Sequence, residues 1–172
     1  MRLAILVPYL CNMGGVERVV MKIAQSTDSA IFTLQYRPEN LYPKFHELDV
    51  RLVPNKLSFL SSGLGSLAGA GLAFRSLKLR DFDVFNPHGA PSELIRNRNS
   101  PVAWYCHTPA RSVYDLSGWR MQRKGWISRQ AQLAANAAYR QIELPAVRKI
   151  EKIFANSANT QWRIRKYLGR ES

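Results

Sequence analysis

LAILVPYLCNMGGVERVVMKIAQ, Leu3 to Gln25, decides how the rest of the chain is read. Leu3 to Pro8 is a continuous apolar run, the pattern of a strand covered on both faces. Gly14-Gly15 then opens a loop. Val16 to Gln25 follows with Val16, Val19, Val20 and Ile23 on one stripe at helical spacing. A buried strand, a glycine turn and an amphipathic helix form the first unit of a sheet with helices packed on it.

The pattern repeats outward from this unit. AIFTLQY (Ala30 to Tyr36) has the β-branched and aromatic content of a second strand. Residues 37 to 49 contain two prolines and read as irregular. Asp49 to Pro54 reads as a third strand, Ser66 to Leu79 as a helix and Phe82 to Asn86 as a fourth strand. Ser92 to Arg96 is a short helical turn, and Pro101 to Cys106 a fifth strand. A helical region rich in good helix formers covers about Arg120 to Ile150, and Pro145 is expected to kink or interrupt it. Lys152 to Ser157 is a sixth strand. Ser157 or Asn159 can cap a last helix to Leu168, which Gly169 stops. Strands alternating with helices predict an α/β fold: a Rossmann-like, mainly parallel sheet with helices on both faces, in one domain over residues 1–172.

Composition narrows the function classes. With 46% hydrophobic residues in 172, a normal core is expected and general disorder is not. Cys11 and Cys106 alone make no disulfide framework, which points to a reducing, cytoplasmic setting. No signal peptide is expected, since the apolar run at residues 3 to 8 is short and has the pattern of a strand. Leu57 to Phe74 is long enough to raise a membrane span, but its four glycines and four serines favour a surface loop followed by a helix. The net charge is +13 and uneven. Residues 1–86 carry 10 basic and 7 acidic groups, residues 87–172 carry 15 and 5. The second half is therefore a candidate face for an anion: nucleic acid, an acidic membrane or a phosphorylated substrate. The bland alternative is a set of solvated helix faces. Trp119 and Trp126 flank Arg120, Arg123 and Lys124, a segment suited to nucleic acid or to a membrane interface. For Trp104 and Trp162 core packing is expected.

Three features fall just beyond strand ends. Gly14-Gly15 follows the first strand, His88-Gly89 the fourth and His107 the fifth. Open parallel sheets bind ligands at that edge. Gly14 and Gly15 allow a ligand close to the backbone, and the following helix offers free N–H groups and a positive dipole end to a phosphate. An ordinary tight turn is the competing reading. The dinucleotide fingerprint and the P-loop are both absent. His107 can be a base, a hydrogen-bond donor to a sugar or phosphate, or a structural histidine. His88 in NPHG also reads as a turn. Arg111 can reach a phosphate or stay on the surface, Asp115 can orient a basic group or cap a helix, and Glu17 suits a first helical turn. No metal-ligand spacing is found.

The amino-terminal strand leading into GGVER (Gly14 to Arg18), the strand ending in YCHTPARSVYD (Tyr105 to Asp115) and the one ending in FANSANT (Phe154 to Thr160) recur in order. Together they resemble the amino-terminal, acceptor-side domain of family 4 glycosyltransferases with the GT-B fold, the mannosyltransferase-like branch in particular. The resemblance implies a retaining, metal-independent enzyme that moves a sugar from a nucleotide-sugar donor to a glycan or lipid-linked acceptor. It implies no cofactor. It places Gly14 and Gly15 near the donor diphosphate and His107 at the reaction centre, as the catalytic candidate. Arg111, His88 and Asp115 are candidate acceptor or phosphate contacts. The family's donor-site cations and its Glu-x7-Glu pair are absent from these residues. The expectation is half an enzyme, inactive alone, whose donor-binding carboxy-terminal domain lies elsewhere. A peripheral position on the inner face of an anionic membrane suits the basic second half and a lipid-phosphate acceptor. Two alternatives stand beside this reading. A nucleic-acid-binding module leaves the three edge features unexplained. Half of a nucleotide-sugar epimerase or phosphorylase would share the fold.

Overall fold

A computed structural model of the chain describes residues 1–54, 64–122 and 125–172. Its first strand, β1, spans Leu3–Leu10, two residues beyond the expected end at Pro8. Pro8 is tolerated because the pairing of β1 with its neighbour β4 (Val84–Pro87) ends at Leu6. No ladder bond is asked of the missing N–H. Strand β2 is Ser29–Tyr36 and β3 is Val50–Leu52; β5 is Ala103–Cys106 and β6 is Lys152–Ala155. Every pairing is parallel. Four strands form the order β3-β2-β1-β4, and β5 pairs with β6. Bridges from Phe85 to Val102 and from His88 to Tyr105 join β4 to β5. The strand order therefore reverses between β1 and β4, the place where a doubly wound sheet opens a crevice.

The alternation of β1 places helices on both faces. Leu3, Ile5 and Val7 enter one core with Val20, Met21 and Ala24 of helix α1 (Gly15–Ser26). Ala4 and Leu6 enter the other, with Phe74 of α2 (Leu64–Ser76), Tyr139 and Val147 of α4 (Trp126–Arg148) and Ile164 and Leu168 of α5 (Ala158–Leu168). Each fully buried Ile or Leu here contributes about 1.5–3 kcal/mol. Met21 and Ala24 rather than Val19 complete the buried stripe of α1.

Several expectations shift. The long helical region is two helices, α3 (Ser117–Gln122) and α4. Pro145 does not interrupt α4, which continues to Arg148. The proline removes one backbone donor, while Glu143, Ala146 and Val147 around it are buried in tertiary contacts that hold the turn. The irregular stretch after β2 holds 3-10 turns at Pro38–Asn40 and Pro43–Glu47, and another covers Ser92–Asn97. Ser157, not Asn159, caps α5 by accepting the Thr160 N–H, and Gly169 stops it with φ 63°. Trp104 is fully buried, but Trp162 is half exposed because α5 buries the Thr160, Ile164 and Leu168 stripe instead. The loop expected before α2 falls partly on residues 55–63, outside the described residues, as do Arg123 and Lys124. Among the described residues no helix is long and apolar enough to cross a membrane.

Candidate functional site

Each parallel strand delivers the residue after it to the same edge. His88 stands one residue beyond β4 and His107 one beyond β5, and bridging between the strands brings them side by side. His88 is fully buried. Its Nε2 lies 2.7 Å from Asn86 Oδ1, and its Nδ1 lies 3.0 Å from His107 Nε2. Tyr105 stacks on the His88 ring at 5.3 Å and tilts against His107 at 5.0 Å. Gly89 turns the chain away at once with φ 73°, a conformation that suits glycine.

The network sets the protons. Asn86 Nδ2 donates to the carbonyl of Ala103, which orients its amide and leaves Oδ1 for His88. His88 must then donate from Nε2, and its Nδ1 is an acceptor. His107 donates from Nε2 to that Nδ1. With its proton on Nε2, His107 keeps the lone pair on Nδ1 as an acceptor. Both rings are neutral at pH 7. Burial pushes His88 down to about 3, helped by the neighbouring His107, and burial lowers His107 as well. The pair can therefore accept a hydrogen bond or a proton at the sheet edge. It offers an anion no positive charge.

The chain beyond His107 is held from α5 and α4. Thr160 Oγ1 lies 3.0 Å from the His107 carbonyl, and Arg163 donates to Thr108 Oγ1 at 3.1 Å. These contacts join the FANSANT stretch to the HTP stretch. Asp115 accepts from Arg111 at 3.1 Å and faces Arg163 at 3.3 Å. One carboxylate between two guanidiniums leaves this cluster net positive. On α4, Asn136, Arg140 and Glu143 lie along one face and grip the carbonyl of Ser112, the carbonyl of Val113 and the hydroxyl of Tyr114 respectively.

Beneath the two histidine loops lies a carboxyl pair that sequence reading missed. Glu93 accepts from Tyr139 at 2.6 Å and Glu143 accepts from Tyr114, while Glu93 Oε2 and Glu143 Oε1 are buried without a protein partner. Burial raises both, Glu93 to about 7 and Glu143 to about 8, with Glu93 adding to the rise of Glu143. Burial and the same two carboxyls also raise the Cys106 thiol.

Of the residues singled out from sequence, His88 and His107 come together, and so do Arg111 and Asp115. Gly14 is the N-cap of α1 and Gly15 its first residue. The backbone of Gly14 is extended, so its role is one of space: a Cβ there would run into the Glu17 carboxylate, which folds back over the helix end. Gly15 faces open space. The α1 N-terminus thus already has an acidic neighbour, and an anion would have to share it. Asn86 and Arg163 were missed, and Tyr105 and Thr160 fell inside the quoted motifs without a role assigned to them. Asn86 and Tyr105 lie one residue before the ends of β4 and β5, whereas Thr160 and Arg163 lie on α5, where strand position gave no cue. Among the described residues no group of three or more His, Cys, Asp or Glu could hold a metal. A hollow of about 180 Å³ lined by Arg75, Pro145 and Lys149 lies at the other end of α4, away from the histidines.

Fold and site together define an α/β protein with a parallel sheet and a paired histidine at the carboxyl edge of its strands. Comparison with protein-family models, curated proteins and solved structures gave no match.

Proposed function

We propose that this chain is the acceptor-side half of a retaining glycosyltransferase of GT-B type. It would work with a donor-binding domain to move a sugar, mannose first among the candidates, from a nucleotide-sugar to a glycan or lipid-phosphate acceptor. The observation that carries the reading is the Asn86–His88–His107 chain at the edge where strand order reverses. A neutral imidazole with an acceptor nitrogen suits a sugar hydroxyl, which donates, better than the ionised diphosphate of a nucleotide-sugar, whose oxygens only accept. The motif resemblance supplies the reaction class. In such a transfer negative charge grows on the leaving phosphate, and without a metal it must be met by backbone amides, a helix end and cations. The α1 N-terminus and the Arg111–Asp115–Arg163 cluster are the candidates for that work. The enzyme needs no cofactor in this reading. Its setting is cytoplasmic, peripheral on an anionic membrane.

The test is a titration of the histidine-labelled chain followed by nitrogen NMR. Nucleotide-sugars, free hexoses and dimethyl phosphate, a phosphodiester with no hydroxyl, are added in separate series. Sugars and nucleotide-sugars should move the His107 Nδ1 signal, and the phosphodiester alone should leave it in place. A His107 signal that ignores every sugar, or that follows the phosphodiester alone, would overturn the reading.

A further inference from the structure

Helix α4 is longer than the sheet it covers. Its 23 residues span about 35 Å, against about 13 Å for the four residues of β5. Its carboxyl end leads into β6 at the edge where the strands begin, so its amino end points towards the opposite, histidine edge. Asn136 is the first residue of α4 that is buried, tied to Ser112 and Ser117 in the loop after His107. From Asn136 back to Trp126 the helix runs roughly 15 Å further. Residues 126 to 131 are exposed on every side. A helix end with no buried face usually carries polar residues. This one begins with Trp126 and Ile127, 74% and 75% exposed, and Trp119 on the preceding α3 is 54% exposed. The charge is one-sided as well. From Leu116 to Ile142 the sequence has five cations, Arg120, Arg123, Lys124, Arg129 and Arg140, and no carboxylate.

We infer that the projecting amino-terminal turns of α4 are a membrane-docking surface, with Trp126 and Ile127 entering the headgroup boundary of an anionic bilayer and the exposed Arg129 beside them meeting its phosphates. Indole rings favour that boundary, and basic residues beside them add attraction to acidic lipids. Other occupants fit less well. A second copy would bring the same carboxylate-free stretch against itself, and cations would repel. A nucleic acid would use the cations and could stack on the indoles, but it offers nothing to Ile127. The docked orientation brings the His107 edge towards the lipid surface, where a lipid-phosphate acceptor would present its head. The inference rests on the membrane part of the proposed function and not on its sugar chemistry, so the NMR titration and the experiment below can fail separately.

The experiment uses the full chain with vesicles of phosphatidylcholine alone and of phosphatidylcholine with about 30% phosphatidylglycerol. The readouts are co-sedimentation and tryptophan emission. The expected result is binding to the anionic vesicles with a blue shift, and little binding to the neutral ones. The double variant Trp126→Ser/Ile127→Ser should lose about tenfold or more in affinity. Leu52→Ser, at a site 64% exposed on the distant β3, should bind like the parent. Circular dichroism checks that both variants fold, as surface positions should. Equal binding by the double variant and the parent would sink the inference, and so would no binding by the parent. Tighter binding to single-stranded RNA than to vesicles would replace it with a nucleic-acid surface. A parent dimer that the double variant dissolves in sedimentation would replace it with a self-association surface.

Discussion

Asn86 carries no chemistry of its own, yet it decides what His107 can do. The carbonyl of Ala103 orients its amide, the amide chooses the donating nitrogen of His88, and His88 chooses that of His107. A backbone oxygen in β5 thereby leaves an acceptor at the sheet edge. The prediction at this scale is spectroscopic. In the parent chain the nitrogen shifts should show His107 protonated at Nε2 only, and His88 should not titrate between pH 5 and 8, since burial holds it at about 3. Asn86→Ala should mix the two tautomers of His107 and destabilise the fold by about 1–3 kcal/mol through the stranded His88 donor. A His107 tautomer unchanged in Asn86→Ala would show that the relay does not set it. Reading the chain could find both histidines, since each follows an apolar run. It could not find the relay, because the partners are 19 residues apart and meet only when β4 and β5 lie side by side.

Helix α1 shows how an element can be suited to a ligand and still be guarded. Its free amides and dipole favour an anion, and the Glu17 carboxylate folds over them. Two substitutions separate these effects. Glu17→Gln should strengthen inorganic phosphate binding several-fold by removing the competing charge. Gly15→Ala meets no atom within 4 Å, so it should leave folding intact or slightly improve it, by up to about 1 kcal/mol. If it also weakens nucleotide-sugar binding, the ligand approaches the backbone there. Amide shifts of residues 14–18 and thermal unfolding check both, and phosphate binding that ignores Glu17→Gln would remove α1 as an anion site. The double glycine and the helical stripe were legible in the sequence. The folded-back carboxylate was not, because a side chain's rotamer answers to space that only the loop before α1 defines.

Across the whole molecule, the buried titratable groups combine into one pH profile. Glu93 and Glu143 have folded values raised from 4.5 to about 7 and about 8. Their contribution is fully present below about pH 4.5 and lost as pH rises through 7 to 8. His88 runs the other way. Its folded value is depressed, so its contribution is present above pH 6.5 and lost as pH falls towards 3. The two trends oppose each other in mildly acidic solution. From pH 6.5 to about 8 the carboxyl pair acts without that opposition, and stability should fall by up to ~1.4 kcal/mol per pH unit per group until each group passes its folded value. Tyr114, Tyr139, Cys106 and Arg140 face the pair; burial raises the two phenols and the thiol, so they do not help the ionised pair, while the Arg140 charge limits the rise of Glu143. Glu143→Gln keeps an acceptor for Tyr114 and has nothing to ionise. It should flatten the alkaline fall, measured as Tm against pH. A parent Tm that rises from pH 6.5 to 8.5 would contradict the assignment.

The sequence by itself determined the α/β class, the strands within two or three residues and the stop at Gly169, and it narrowed the cap of the last helix to Ser157 or Asn159. These depend on local periodicity and on backbone preferences that neighbours in the chain already express. It also placed Gly14, His88 and His107 beyond strand ends. Only the tertiary structure decided that β4 and β5 are neighbours, that His88 is buried against His107, that Glu93 and Glu143 share a core, and that α4 passes through Pro145. Each of those turns on which surfaces meet across 19 to 50 residues. Burial then changes the chemistry of the groups that meet, and no local pattern records it.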